Sequence, residues 1–170
     1  VWSAPELGMI TEVAERSWAH IERTRAEAAV RASEAQFRTF AQTMPNHVWT
    51  SAANGQLDWF NDRVYAYSGR KPGELDGAGW AIMVHPDEID DTAQCWVAAV
   101  SSGRDYQAEF RLRRHDGTWR WHLARAIPLR DGDGTIVRWI GTNTDVDDQK
   151  TAEARLEEHL ERRTAERDRI

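Results

Sequence analysis

The spacing of apolar positions changes twice along this chain, and each change marks an element boundary. Near the start, Leu7, Ala14, Ile21, Ala28 and Ala35 recur every seven residues, with Ile10, Ser17, Thr24 and Arg31 three places after the first four of them. A repeat of seven is the seam of a helix packed along another helix. The seam is strong through Ile21 and thin beyond it. Ser3 or Ala4 near the cap, Pro5 in the first turn and Glu6 against the dipole start such a helix. Glu12–Arg16, Glu27–Arg31 and Glu34–Arg38 stand at the helical spacing of favourable ion pairs. The spacing predicts a helix over about residues 6–36, roughly 45 Å long, which calls for a partner. A solvated single helix, or one lying on its own domain, is the alternative. Residues 147–170 are helical again, with Leu156, Leu160 and Ile170, and Val146 just before them, as the sizeable apolar side chains and Glu158–Arg162 as a supporting pair. That stripe is too thin for a stable coiled coil by itself, and it stops in mid-pattern, as a cut through a continuing helix would.

Between the helices the period shortens to two. Residues 47–51 and 56–60 flank Asn54-Gly55, a tight-turn signal between two strands. Gly69, Gly73, Gly77 and Gly79 then punctuate short helices expected at 62–67, around 72–75, and from 86 to about 100. Tyr106, Ala108, Phe110 and Leu112 alternate with Gln107, Glu109, Arg111 and Arg113, the pattern of a half-buried strand. Asp116-Gly117 turns the chain into a long strand on which Trp119, Trp121, Leu123, Ile127 and Leu129 share one parity. Asp131-Gly132-Asp133-Gly134 turns it again, into a strand over 136–144. Ile136, Val137, Trp139 and Ile140 give that last strand apolar residues on both faces, which a sheet with one wet face does not need. Val137 and Trp139 are therefore expected at a dimer interface, together with Leu7, Ile10, Ala14 and Ile21 of the first helix. The division expected is a linker and dimerisation helix over 1–40, a domain over 41–146 and an output helix over 147–170.

Composition narrows the class. A net charge of -6 and a pI near 5.5 argue against nucleic acid as a partner. A single cysteine, Cys95, excludes an internal disulfide and points to a reducing, cytoplasmic compartment. The chain holds no run of about 18 apolar residues, so no membrane span is expected within it. It starts at Val1 without a signal-peptide pattern, as an excised piece of a longer protein would. Seven of the nine Trp lie in the middle region, where large rings either fill a core or line a pocket.

The order of these elements, and the words within them, resemble a PAS domain of the kind common in bacterial sensor histidine kinases. The resemblance rests on Trp49-Thr50, Asn54-Gly55, Trp59-Phe60-Asn61, Tyr67-Ser68-Gly69, His85-Pro86-Asp87-Glu88, Phe110-Arg111-Leu112-Arg113-Arg114, Trp119-Arg120-Trp121 and Gly141-Thr142-Asn143-Thr144-Asp145-Val146. It covers about residues 36–150, and the stretch from Trp2 through the first thirty residues resembles the closing helix of a GAF domain. The resemblance implies an α+β fold with a five-stranded antiparallel sheet and a short-helix crossover. It also implies a homodimeric, non-catalytic sensing module, with a GAF-like domain upstream and a kinase downstream in the same chain. Alternatives are a cofactor-binding redox or light sensor and the input module of a nucleotide cyclase. In the family the acid matching Asp145 anchors the junction to the output helix, so Asp145 and Val146 are expected to couple the signal. The family's usual third residue there is Thr, where this chain has Asp147.

Candidate chemistry is sparse. His85-Pro86-Asp87-Glu88 reads as a helix start rather than a metal cluster. Haem ligation by a His in the helix that follows is not expected, because residues 90–100 contain none. Cys95, beside Trp96, Val97 and Ala98, reads as a buried inert thiol, and the flavin photo-adduct word "N-C-R-F-L-Q" is absent. Asp131 to Gly134 lacks the further ligands of a calcium loop. The other histidines, 20, 47, 115, 122 and 159, show no ligand spacing, so no metal is expected. No catalytic residue and no cofactor are predicted. Should a small molecule occupy the core, Trp59, Tyr65, Phe110 and Trp121 are the candidates to line it.

Overall fold

A computed structural model describes residues 4–167; Ser3, Ile170 and the side chains of Leu7 and Ile10 lie outside the described residues. Helix α1 runs from Ala4 to Thr43, past the end that the heptads predict. It stops where Met44 precedes Pro45, a pairing that disfavours helical backbone. The chain divides after Thr43, so α1 is one unit and the residues beyond it another. Every side chain from Glu12 to Gln36 is exposed, Ala14 and Ile21 among them. Glu12–Arg16 and Glu34–Arg38 pair at 2.7 and 2.9 Å, while Glu27 faces Arg23 at 3.9 Å.

In the second unit, β1 (His47–Ala52), β2 (Leu57–Phe60), β3 (Tyr106–Arg113), β4 (Trp119–Arg130) and β5 (Ile136–Asp145) form one antiparallel sheet in the order β2-β1-β5-β4-β3. The link from β2 to β3 crosses from one edge of the sheet to the other. It carries α2 (Asp62–Ser68), 3₁₀ turns at Gly79–Met83 and Pro86–Glu88, and α3 (Ile89–Ser102). The short helix expected around 72–75 is instead a run of turns, because Gly73 has a φ of 91°, which no right-handed helix accepts. Helix α4 (Asp147–Arg167) follows β5.

The core is built around indole rings. Trp96 of α3 meets Trp49 of β1, Trp139 of β5 and Tyr106 of β3 edge-on, at 5.5, 5.3 and 5.1 Å between centroids. Rings of that depth need small residues beneath them, and one row across the sheet supplies them: Trp49 pairs with Gly141, Gly141 with Ala126, and Ala126 with Tyr106. The inner face of β4 is accordingly His122, Ala124 and Ala126, and its larger apolar residues, Trp121, Leu123, Ile127 and Leu129, stand on the outer face.

Two expectations are corrected here. Trp139 does not face a partner: it is 0% exposed, inside this chain's own core. A bulge explains the error. Leu129 pairs with Arg138 and Arg130 with Ile136, so Val137 is passed over in the ladder. Ile136 thus packs against the core on the same side as Trp139, while Val137 turns out and is 51% exposed. Cys95 is exposed rather than buried, because the core-facing positions of α3 are Ile89, Thr92, Trp96, Ala99 and Val100.

Candidate functional site

A cavity of about 40 Å³ lies between the inner face of the sheet and the crossover, lined by Trp49, Phe60, Val64, Trp80, Met83, Trp96, Phe110 and Leu112, among others. Of the four residues expected to line a pocket, only Phe110 does so. Trp59 stands on the opposite face of β2 from Phe60, Tyr65 packs edge-on to Phe60 at 6.1 Å, and Trp121 lies on the outer face of β4. This volume is enough for a water or two and far below the several hundred Å³ of a drug-sized ligand site. A planar cofactor would have to displace Trp49 or Trp96, whose indole N–H groups are bonded to Asn143 Oδ1 and the Gly55 carbonyl at 3.0 and 2.8 Å.

The junction between β5 and α4 is densely hydrogen-bonded. Arg120 donates from Nε to Asp145 Oδ2 at 2.6 Å, and from Nη2 to Asp145 Oδ1 and Asp148 Oδ1 at 3.2 and 3.0 Å. Asp145 Oδ1 also accepts the backbone N–H of Asp147 at 3.0 Å, which caps the first turn of α4. The Asp147 carboxylate takes the Trp121 N–H at 3.0 Å, and the Val146 N–H returns to the Trp121 carbonyl at 2.9 Å. An acceptor side chain at position 147 is therefore fastened to β4, and in this chain a carboxylate does it. Lys150, one turn on, lies 4.9 Å over the Trp121 ring and 2.5 Å from Glu109. Partial burial works to raise the Asp145 carboxyl, but the hydrogen bonds from Arg120 and Asp147 hold it below its ordinary value.

Residues 57–143 match the PAS fold family. The chain belongs to that family. Its PAS domain is a sensory module, and histidine kinases are among its relatives. It is 35% identical over 125 residues to uncharacterized protein y4lL of Sinorhizobium fredii, covering 74% of this chain and 15% of that protein. It is 34% identical over 121 residues to the peroxide stress-activated histidine kinase mak1 of Schizosaccharomyces pombe, covering 71% and 7%. The chain thus spans a small part of the curated relatives it matches. Among solved structures, an RNA-binding light-oxygen-voltage receptor shares the fold with a TM-score of 0.61 at 18% identity, over 75% of this chain and 37% of that one. A sensory box histidine kinase/response regulator from Burkholderia thailandensis does so with a TM-score of 0.53 at 22% identity, over 78% and 98%.

The PAS domain places two histidines where their spacing in the sequence gives no hint of it. His47 opens β1 and His122 lies on the inner face of β4, on either side of β5. Their rings stack at 5.2 Å, 15° from parallel, and the Tyr67 ring of α2 stands edge-on to both, at 4.7 and 5.2 Å. His47 is 7% exposed and His122 is 1% exposed. His122 Nδ1 lies 2.9 Å from the Arg120 carbonyl, which can only accept, so that nitrogen carries the proton in the neutral ring. Nδ1 of His47 is buried with no hydrogen-bond partner. Burial lowers both imidazoles, and with His122 beside it His47 falls to about 4. The same burial lifts the Tyr67 phenol to about 12. His85, by contrast, is a structural cap: its Nδ1 accepts from the Asp87 N–H at 3.3 Å and its ring packs against Trp119.

Proposed function

We propose that this PAS domain is a transmitter in a dimeric, cytoplasmic sensor histidine kinase, set between a GAF-like domain upstream and a kinase domain downstream. Movement of the sheet leaves the domain through Asp145 and Val146 into α4. The observation that carries the reading is the fastening of the first turn of α4 to β4 by Arg120, Asp145, Asp147 and the Trp121 backbone, since any shift of the strand must then move the helix. The histidine kinase named among the relatives supports the output. No described helix is long and apolar enough to cross a membrane, in keeping with a signal that travels through helices and sheet within this segment.

Replacing Arg120 by Ala tests the fastening. The Lys150 amide, whose partner is the Val146 carbonyl, should exchange with solvent about tenfold faster, while amides of the central strands keep their protection. Equal exchange in both proteins would overturn the reading.

The dimer reading places a second copy on the outer face of the sheet, where Ile127, Leu129 and Val137 are exposed. The exposed heptad positions Ala14 and Ile21 of α1 offer a seam of their own. Light scattering should give a mass of two chains of 19.5 kDa each. Ile127→Glu combined with Val137→Glu should shift the mass towards one chain, and Ile21→Glu should weaken the seam of α1. An unchanged dimer in the double variant would exclude the sheet face.

A further inference from the structure

We propose that the stacked His47–His122 pair is a proton-binding site that controls the hold of the domain on α4, so that this module responds to acidification. The inference rests on the reading of α4 as the exit helix, and deepens it by naming a signal.

The geometry allows one proton and gives it a target. A cleft of about 380 Å³, lined by Asn46, His47, Arg63, Tyr67, His122 and Asp145 among others, gives water a route to the pair. With Nδ1 of His122 already donating to the Arg120 carbonyl, an arriving proton goes to Nε2 of that ring or to the unprotonated nitrogen of His47. Either imidazolium then stacks 5.2 Å from the other ring, and like-charge repulsion excludes a second proton. The Asp145 carboxylate lines the same cleft and sits opposite His122 in the ladder. It now holds Arg120 and caps α4. A new cation on the pair competes with both for that carboxylate, so proton uptake loosens the cap.

The charged and titratable neighbours come from every element around the pair. They are Arg63 and Tyr67 of α2, Arg120 of β4, Asp145 of β5 and Asp147 of α4. Arg63 disfavours the proton, whereas Asp145 and Asp147 favour it. In the fastened state His47 takes its proton only near pH 4, below the ordinary value of 6.5. A loosened state that wets the ring restores the ordinary value. By linkage, acid therefore favours the loosened state, and the gain grows as pH falls from about 6.5 towards 4. At pH 5.5 the ratio of loosened to fastened forms should be about tenfold higher than at pH 7.5.

The test is hydrogen exchange on the whole chain at pH 7.5 and 5.5, corrected for intrinsic rates, with imidazole titration followed by NMR. Protection at the Lys150 amide should drop about tenfold at pH 5.5 while the central strands keep theirs. His47→Phe keeps an aromatic ring in the stack but cannot take a proton there, and should remove most of the pH response. His122→Phe repeats the test from the other ring, and circular dichroism at pH 7.5 shows which variant is folded. A pH response that persists in a folded variant, or α4 protection that stays constant while the pair titrates, overturns the proposal. Arg120→Ala tests the exit helix without any proton. If it loosens α4 and acid does not, the signal is wrong and the exit stands; if it leaves α4 unchanged, the exit reading itself fails.

Discussion

Replacing Gly141 by Ala should cost the PAS domain about 3 kcal/mol of stability or more, a large effect for one added methyl group. The backbone at Gly141 is not in the left-handed region, so alanine meets no conformational obstacle there. Shortening the freedom of the unfolded chain would even favour it slightly. The obstacle is Trp49. A Cβ on residue 141 would overlap the ring atoms Cε2, Cζ2 and Cη2 of Trp49, well inside van der Waals contact. The ring cannot swing clear at low cost. It is buried, its N–H is held by Asn143, and its face receives Trp96. Urea unfolding followed by tryptophan fluorescence measures the loss. Trp49→Phe removes the indole atoms that collide, so the double variant should lose less than the sum of the single variants by more than 1 kcal/mol. A loss below about 0.5 kcal/mol for Gly141→Ala would mean that the row beneath Trp49 is looser than its register implies.

Alternation and turn residues made the strands legible. Asn54-Gly55, Asp116-Gly117 and Asp131 to Gly134 mark the hairpins, and their order along the chain carried the family resemblance. What alternation cannot say is which of two faces lies inside. On β4 the more apolar parity, Trp121, Leu123, Ile127 and Leu129, is the outer one, and His122, Ala124 and Ala126 face the core. That choice is made by Trp49 and Trp96, far away in the chain, whose rings need shallow residues beneath them. The bulge at Val137 is likewise invisible in a single strand, since it exists only in the pairing of β5 with β4. At the candidate site, Asp145 and its place before the exit helix were legible through the resemblance, whereas Arg120 as its partner was not. His47 and His122 are separated by two whole strands, the whole crossover and two hairpin turns. Only the sheet brings them together, and the one local hint was that His122 shares its parity with two small residues of the core.

Trp139 carries the second large effect. Trp139→Ala should destabilise the fold by about 3–5 kcal/mol, a substantial share of the 5–15 kcal/mol that holds a typical domain together. The ring is fully buried and packs edge-on to Trp96 at 5.3 Å, so its removal leaves a cavity at the centre of the indole cluster. Its N–H, buried, finds no hydrogen-bond partner. Trp139→Phe therefore sacrifices no hydrogen bond and should cost only about 1–2 kcal/mol. Trp96→Phe makes the contrast: it gives up the bond to the Gly55 carbonyl as well as ring volume, and should cost more. Urea unfolding ranks the three. Light scattering on the same proteins separates a core role from an interface role. A core residue lowers the unfolding midpoint and leaves the mass of the folded protein unchanged, whereas a residue facing a second copy lowers the mass and leaves the midpoint of the monomer where it was. Val137, two positions away but turned outward by the bulge, should behave in the second way, so the pair of neighbours reports which side of β5 is which.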